Sequence, residues 1–396
     1  MDREEKYGAH NYAPLPVVLA RGEGVKVWDV DGKSYFDFLS AYSAVNQGHC
    51  HPRLVEVASK QLRTLALTSR AFYNHALGEY QEFITKLFGY DKVLPMNTGV
   101  EACETAIKLA RRWAYDVKGV ARYQAKVVFA QNNFMGRSMT AVSASTDPES
   151  YGGFGPYLPG LEKIPYNDLA AVERAISDPN TAAFMVEPIQ GEAGVIVPTP
   201  GYLKGVRDLC TKHNVLFICD EVQTGLGRTG KMLCVYHEEG VRPDIITLGK
   251  ALSGGMYPVS AVLCDDPIML TIKAGQHCST YGGNPLGVTI AKEAVQIIID
   301  EKLSEKAEHL GKIFMENLKK LPKDVVSEVR GKGLFCAMVI NENVNAYDVC
   351  LKLRDNGLLA KNTHVKNIRL APPLIITEQQ LNEAMEIITK TINSFK

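Results

Sequence analysis

Two charged residues follow short apolar runs in a way that suits covalent chemistry on a carbonyl group. Residues 215–219 lead into Asp220, and residues 244–248 are followed by Gly249 and Lys250. If both runs are strands of a parallel sheet, their carboxyl ends meet at the edge where such sheets bind ligands. A lysine that can form an imine, near a buried carboxylate that can pair with a ring nitrogen, is what pyridoxal phosphate requires. Each residue taken singly has an alternative explanation. Lys250 could be a solvated surface charge, and Asp220 could belong to a structural ion pair.

A glycine turn before a helix could bind the phosphate of such a cofactor. The run Asn97-Thr98-Gly99-Val100 precedes a helix that is predicted to begin near Glu101. The free N–H groups and the positive dipole end of a helix N-terminus attract phosphate. The alternative is an ordinary capped helix.

Five more residues have side chains that suit a flat cofactor and acidic substrates. Phe134 could stack on a ring, and Gln223, one turn after Asp220, could reach a ring oxygen. Arg137 and Arg369 stand beside apolar residues or prolines, which suits bidentate capture of a carboxylate. Glu192 lies in an acidic loop. The alternatives are a core phenylalanine, solvated polar groups and surface ion pairs.

Alternating strand and helix patterns would position these residues. Apolar runs at 126–130, 182–186, 215–219, 244–248 and 259–264, with helical periodicity over 101–115 and 202–213, predict an α/β fold with a large doubly wound, mostly parallel sheet. We expect a large cofactor-binding domain at residues 46–289. A smaller α+β domain is expected from residues 1–45 plus 290–396, with a hairpin turning at Asp31-Gly32, strands at 325–330, 334–340 and 368–370, and amphipathic helices over about 290–320 and 377–394.

Composition narrows the class of protein. The 396 residues carry 44 basic and 44 acidic side chains, which gives no support to a nucleic-acid or membrane-surface role. No apolar run approaches the roughly 18 residues of a membrane span. The nine cysteines are scattered without a Cys-x-x-Cys pair, so no metal site is predicted and a reducing compartment is expected. The charged N-terminus favours the cytoplasm, or a mitochondrion if a targeting segment lies outside this sequence.

Longer runs along the whole chain resemble the class III aminotransferases of fold type I. The matching runs are residues 7–12 (YGAHNY), 38–51 (FLSAYSAVNQGHCH), 97–101 (NTGVE), 186–194 (VEPIQGEAG), 223–230 (QTGLGRTG) and 279–285 (STYGGNP). The resemblance implies a pyridoxal-phosphate-dependent enzyme. Lys250 would hold the cofactor and move the proton, Asp220 would pair with the pyridine nitrogen, Gln223 would contact the ring oxygen, and Phe134 would stack on the ring.

The resemblance also implies a homodimer with shared sites. Gly99 and Val100 would bind the phosphate through their backbone. Ser279 and Thr280 would reach the phosphate of the neighbouring subunit's cofactor. Cys278 stands where the family pattern leads us to expect glycine, which puts the geometry of that loop in question.

Five residues match family positions that hold ornithine and 2-oxoglutarate. The resemblance implies that Tyr12 and Arg137 hold the α-amino and α-carboxylate groups of ornithine, and that Tyr42 completes the pocket. Arg369 would bind the α-carboxylate of 2-oxoglutarate, and Glu192 would pair with Arg369 while ornithine reacts. The implied reaction moves the δ-amino group of ornithine to 2-oxoglutarate and yields glutamate-5-semialdehyde and glutamate.

Two other functions stay open at this point. Acetylornithine or 4-aminobutyrate could be the amine donor, and Tyr12 argues for ornithine because relatives with those donors are expected to have an apolar residue there. A non-catalytic interaction protein on the same fold is the alternative from another class. Intact Lys250 and Asp220 argue against it.

Overall fold

Fifteen strands form three sheets in the computed structural model, which describes all residues from 1 to 396. The strands are β1 Leu19–Glu23, β2 Lys26–Asp29, β3 Ser34–Asp37, β4 Lys92–Met96, β5 Lys126–Ala130, β6 Leu161–Ile164, β7 Thr181–Val186, β8 Leu216–Asp220, β9 Ile245–Leu248, β10 Ser260–Cys264, β11 Val326–Lys332, β12 Phe335–Ile340, β13 Leu358–Leu359, β14 Lys361–Thr363 and β15 Asn367–Leu370. Each predicted strand is present, and most bounds agree to within a residue or two.

The largest sheet is the predicted mostly parallel one. Its seven strands run in the order β4-β10-β9-β8-β7-β5-β6. The five strands from β9 to β6 are mutually parallel, and β10 is antiparallel to both of its neighbours. Strands β7, β8 and β9 are buried on both faces, which explains their continuous apolar sequences. The carboxyl ends of β8 and β9 therefore lie side by side, as the positions of Asp220 and Lys250 predicted.

Fourteen α-helices cover and connect the sheets. They are α1 Asp2–Tyr7, α2 Ser40–Ser43, α3 Pro52–Thr64, α4 His75–Phe88, α5 Gly99–Trp113, α6 Met139–Ala144, α7 Pro148–Tyr151, α8 Leu169–Ile176, α9 Tyr202–Lys212, α10 Asp266–Met269, α11 Pro285–Asp300, α12 Leu303–Leu318, α13 Ala346–Asp355 and α14 Glu378–Asn393. The prediction of one continuous helix over about 290–320 is wrong, because two helices, α11 and α12, cover this range. Lys302 has a left-handed φ of 50°, and the chain turns there between α11 and α12. On the α11 side of this break, Arg53 of α3 holds Glu293 and Asp300.

Two four-stranded sheets lie outside the central one. The first has the order β1-β2-β3-β13 and contains the predicted hairpin, and the second has the order β11-β12-β15-β14. Parallel pairing of β13 with β3 joins the two ends of the chain. Every strand of these sheets falls within residues 1–45 or 290–396, which agrees with the proposed smaller domain. The domain boundaries themselves stay a prediction.

A continuous apolar core joins these parts. One cluster of 74 buried side chains extends from the central sheet to the C-terminal helices, and Phe38 contacts Phe314 edge-on with ring centroids 5.9 Å apart. Edge contacts of this kind stabilise beyond area burial alone. No helix of the structure is both long and apolar enough to cross a membrane.

Candidate active site

Lys250 lies directly beyond the carboxyl end of β9, in the first position of a short 3₁₀ turn. Its φ of 44° is left-handed, which is unfavourable for a residue with a side chain and is concentrated at functional sites. The side chain is half-buried and lines a cavity at this edge of the sheet. Burial lowers the pKa of Lys250, and the nearby Asp220 opposes that shift. An amine with a lowered pKa is a better nucleophile toward a carbonyl group.

Asp220 ends β8 and offers one carboxylate oxygen to the cavity. Oδ1 accepts hydrogen bonds from Val222 N and Thr247 Oγ1, both at 3.0 Å. Oδ2 has a single hydrogen-bond partner in the protein, the Cys103 thiol, whose Sγ lies at 3.4 Å. Burial raises the pKa of Asp220, because its charge lacks a full partner within the chain. A cationic ring nitrogen would supply that partner.

The predicted phosphate turn has the geometry of a capped helix with open N–H groups. Thr98 caps α5 in a capping box with Glu101, whose carboxylate accepts from Thr98 N at 2.7 Å. Gly99 and Val100 begin the helix, where backbone N–H groups have no partner within the helix. A Cβ on Gly99 would lie 2.8 Å from Val222 Cγ1, so only glycine fits beside the Asp220 loop.

A cavity of about 190 Å³ joins these groups. Seven of the predicted residues line it, namely Gly99, Val100, Phe134, Glu192, Asp220, Gln223 and Lys250. The cavity thus brings together an amine, a carboxylate, an aromatic ring and a helix N-terminus.

This cavity has two further polar residues that were not predicted from the sequence, Cys103 and Glu187. Glu187 is buried, and its two oxygens accept from Phe134 N at 3.0 Å and Gly191 N at 3.2 Å. Burial raises the pKa of Glu187 to about 8. Glu187 could have been predicted from the sequence, because it directly follows strand β7 just as Lys250 and its loop follow strand β9. Cys103 could not be predicted in this way, because it is one small residue on the buried face of α5.

A larger cavity of about 650 Å³ shares Phe134, Glu192, Gln223 and Lys250 with the first. It adds three of the predicted substrate residues, Tyr12, Tyr42 and Arg137. The Arg137 guanidinium lies 5.4 Å from the Phe134 ring centroid and has no carboxylate partner. Tyr12 is 71% exposed on the segment that precedes β1.

Arg369 lies on β15, behind Tyr42 and Glu192 of this larger cavity rather than on its surface, and is already paired. Only 2% of its side chain is exposed, and its Nη1 lies 3.1 Å from Glu192 Oε2. The Tyr42 ring packs on the guanidinium, 5.0 Å from centroid to Cζ. One arginine of the site is therefore open and the other is masked.

Ser279 and Thr280 are set apart from the other predicted residues. Neither lines either of the two cavities described above. Ser279 Oγ accepts from Asn97 Nδ2 at 3.1 Å, next to the phosphate turn. Thr280 and Cys278 are exposed in the single chain, so the effect of the cysteine on this loop stays a prediction.

The arrangement matches a known family along nearly all of the chain. The family description aminotransferase class-III matches residues 7–392.

The chain belongs to the class III aminotransferase family.

A Caenorhabditis elegans protein named probable ornithine aminotransferase, mitochondrial, is 67% identical over 100% of this chain and 93% of that protein. A crystal structure of the ornithine aminotransferase from Toxoplasma gondii ME49 is 46% identical with a TM-score of 0.98, and it covers 100% of this chain and 94% of that one. An acetylornithine aminotransferase structure from Elizabethkingia anophelis is 57% identical with a TM-score of 0.91, over 100% and 98% of the two chains.

These matches confirm the fold type I architecture and the enzyme class. The class III aminotransferase uses pyridoxal 5′-phosphate, and a Toxoplasma relative is described with this cofactor at its active site. The residues of the smaller cavity fit such a group, since the free Asp220 oxygen, the buried Lys250 amine and the open helix N-terminus of α5 are the partners it needs.

Proposed function

We propose that this class III aminotransferase is an ornithine δ-aminotransferase that uses 2-oxoglutarate as amine acceptor. One observation carries the proposal, namely two arginines at one site of which Arg137 is open and Arg369 is paired with Glu192. The α-carboxylate of a substrate that enters this cavity can bind Arg137, because Arg369 is already paired. Tyr12 lies at the same cavity and can bind the α-amino group. Ornithine held in this way points its δ-amine toward the cofactor site beside Lys250.

The second substrate needs the other arginine. 2-Oxoglutarate carries two carboxylates, and its α-carboxylate could bind Arg369 once Glu192 moves away. The γ-carboxylate would then take Arg137. Such a gate lets one cavity accept two differently charged molecules in turn. Because ornithine has only one carboxylate, a masked Arg369 keeps it from binding with the α-amine forward.

The bound cofactor supplies a carbonyl group and an electron-withdrawing ring. We assign Lys250 as the residue that binds it covalently and then carries the proton as general acid and base, because its amine is buried at the cavity and its pKa is lowered. Asp220 Oδ2 would hold the ring nitrogen in its cationic form. Phe134 and Gln223 would orient the ring, and Gly99 and Val100 would hold the phosphate.

Acetylornithine is the second candidate donor, because the Elizabethkingia relative at 57% identity has that substrate in its name. Acetylation removes the positive charge of the α-amino group. A hydrogen bond between that group and the Tyr12 hydroxyl would then no longer be charge-assisted and would be weaker. Tyr12 therefore favours free ornithine.

The visible absorption of the purified holoenzyme tests both candidates. Ornithine, acetylornithine and 4-aminobutyrate are added in turn, without an acceptor. We expect ornithine alone to bleach the cofactor band rapidly, and Tyr12→Phe to weaken the ornithine response by about tenfold, as for a lost hydrogen bond to a charged group. Rapid bleaching by acetylornithine would move the substrate and keep the mechanism.

We also propose a homodimer in a reducing compartment, the cytoplasm or a mitochondrion. Ser279 contacts the phosphate turn of its own chain from outside the two cavities, and Thr280 is exposed next to it, which suits a role toward a second copy. All nine cysteines are free, and seven of them are buried. Sedimentation of the holoenzyme and cell fractionation test these two points.

A further inference from the structure

The turn α2 contains four consecutive residues in the left-handed region. The φ angles are 50° at Ser40, 47° at Ala41, 62° at Tyr42 and 71° at Ser43. None of the four is glycine, and left-handed helical turns of L-residues are unfavourable at every position. Such a conformation persists only where the surroundings over-determine it, and it is found mostly at functional sites.

A buried carboxylate holds the start of the turn. Asp37, the last residue of β3, accepts through Oδ1 from Leu39 N at 3.0 Å and Ser40 N at 2.8 Å. Its Oδ2 lies 2.7 Å from His49 Nε2. Ser40 Oγ in turn donates to Ala371 O at 2.7 Å, two residues after the substrate arginine of β15.

His49 is itself fixed by the backbone. It exchanges two backbone hydrogen bonds with Gly24, at 2.8 and 3.0 Å. A Cβ added to Gly22 would lie 2.9 Å from the His49 ring, so the ring packs closely on that glycine. The imidazole thus has one position, from which it fixes the second oxygen of Asp37.

The turn presents Tyr42 to the active site. The Tyr42 ring lies 5.0 Å from the Arg369 guanidinium, and its carbonyl oxygen is 3.3 Å from Gln223 Nε2. When Glu192 is paired with Arg369, the ion pair alone can orient the guanidinium. When Glu192 moves away, the Tyr42 ring remains as the flat surface beneath the arginine.

We propose that Asp37 and His49 are positioning residues for the second half-reaction. Acting through the left-handed turn, they hold Tyr42 against Arg369, so that this arginine is oriented for the α-carboxylate of the acceptor. The inference rests on the proposed function. It requires that loss of the pair weakens use of 2-oxoglutarate and leaves amine donation by ornithine largely intact.

Single-turnover measurements of the two half-reactions on the holoenzyme test this inference. For His49→Ala we expect kcat/KM for 2-oxoglutarate to fall by about tenfold, as for loss of a buried charge-assisted hydrogen bond. The ornithine half-reaction should change by less than about twofold, because Arg369 stays masked in it. His49→Gln, whose amide can replace Nε2, should recover most of the loss. Asp37→Asn should act in the same direction as His49→Ala and serves as the test if that variant does not fold.

His51→Ala is the matched control. His51 is also on this segment and pairs with Glu301 at 3.0 Å, away from the turn. It should leave the ratio of the two half-reactions unchanged. Equal losses in both half-reactions, or none in either, for folded His49→Ala would overturn the inference. A wild-type enzyme that does not react with 2-oxoglutarate would instead contradict the proposed function.

Discussion

The cofactor end and the substrate end of the active site are built in different ways. Asp220, Lys250 and Gly99 follow strands of one seven-stranded sheet and are packed among buried neighbours. Tyr12 and Arg369 come from outside that sheet, one on the segment before β1 and the other on β15. The cofactor groups thus all lie at one sheet edge, whereas the substrate groups combine Arg137 and Glu192, which follow strands of that sheet, with residues from outside it. We expect substitutions to have smaller effects as they move from the first region to the second.

The largest effect is expected for Lys250→Ala. The variant should fold and lose at least about 10⁴-fold in both half-reactions, because the covalent attachment and the proton carrier are lost together. Borohydride reduction followed by peptide mass analysis should no longer find a cofactor-modified peptide. Lys118→Ala is the control, since Lys118 is also half-buried with a burial-lowered pKa but donates to Thr181 O outside the site. Multiple turnovers by Lys250→Ala would contradict the assignment.

Asp220→Asn should have the next largest effect. Removing one partner of a buried charge pair costs about 3–5 kcal/mol, which corresponds to roughly 10²- to 5 × 10³-fold in rate. The pH dependence of the cofactor spectrum should change as well, because the ring nitrogen loses its anion. Asp244→Asn is the matched control, since Asp244 precedes the neighbouring strand β9 and pairs with Arg207 at 2.7 Å. If the cofactor spectrum were unchanged in Asp220→Asn, Asp220 would not hold the ring nitrogen. That result would contradict the proposed difference between the cofactor end and the substrate end.

Glu192→Gln tests the substrate end. Without its anionic partner, Arg369 should compete with Arg137 for the carboxylate of ornithine. We expect δ-amino transfer to fall by about tenfold and a product of α-amino transfer to appear, which chromatography of the keto products would detect. Glu149→Gln is the control, since Glu149 lines the same cavity without contacting Arg369. Loss of activity with no α-transfer product would contradict the proposed gate.

The same division explains what could be predicted from the sequence. Asp220 and Lys250 were accessible because strand ends of a parallel sheet must share an edge, and each ends an apolar run. The pairing of Arg369 with Glu192 joins residues 177 positions apart, and only the family resemblance indicated it. The left-handed turn at Ser40–Ser43 has no glycine, so local sequence carries no sign of it. The break at Lys302 was missed for the same reason.

A separate effect, on stability rather than on rate, is predicted at the cofactor end. Glu187 has its pKa raised by burial from 4.5 to about 8. Between these values the folded protein keeps a proton that the unfolded chain releases. The contribution of Glu187 to stability therefore falls as pH rises through this window. It is at most about 5 kcal/mol over the whole span.

Chemical unfolding of the cofactor-free protein between pH 5 and 8 measures this slope, and removing the cofactor avoids stabilisation by ligand binding. We expect the free energy of unfolding of Glu187→Gln to fall less steeply with pH than that of the wild type. The variant should nevertheless be less stable overall, because an amide cannot accept hydrogen bonds from both backbone N–H groups through two oxygens. Glu221, whose pKa burial raises to about 7, should contribute a similar but separate slope that Glu221→Gln removes. Parallel curves for the wild type and Glu187→Gln would mean that Glu187 is ionised in the folded enzyme. The cofactor end would then hold two buried anions beside Lys250, and the lysine amine would have to be protonated to balance them.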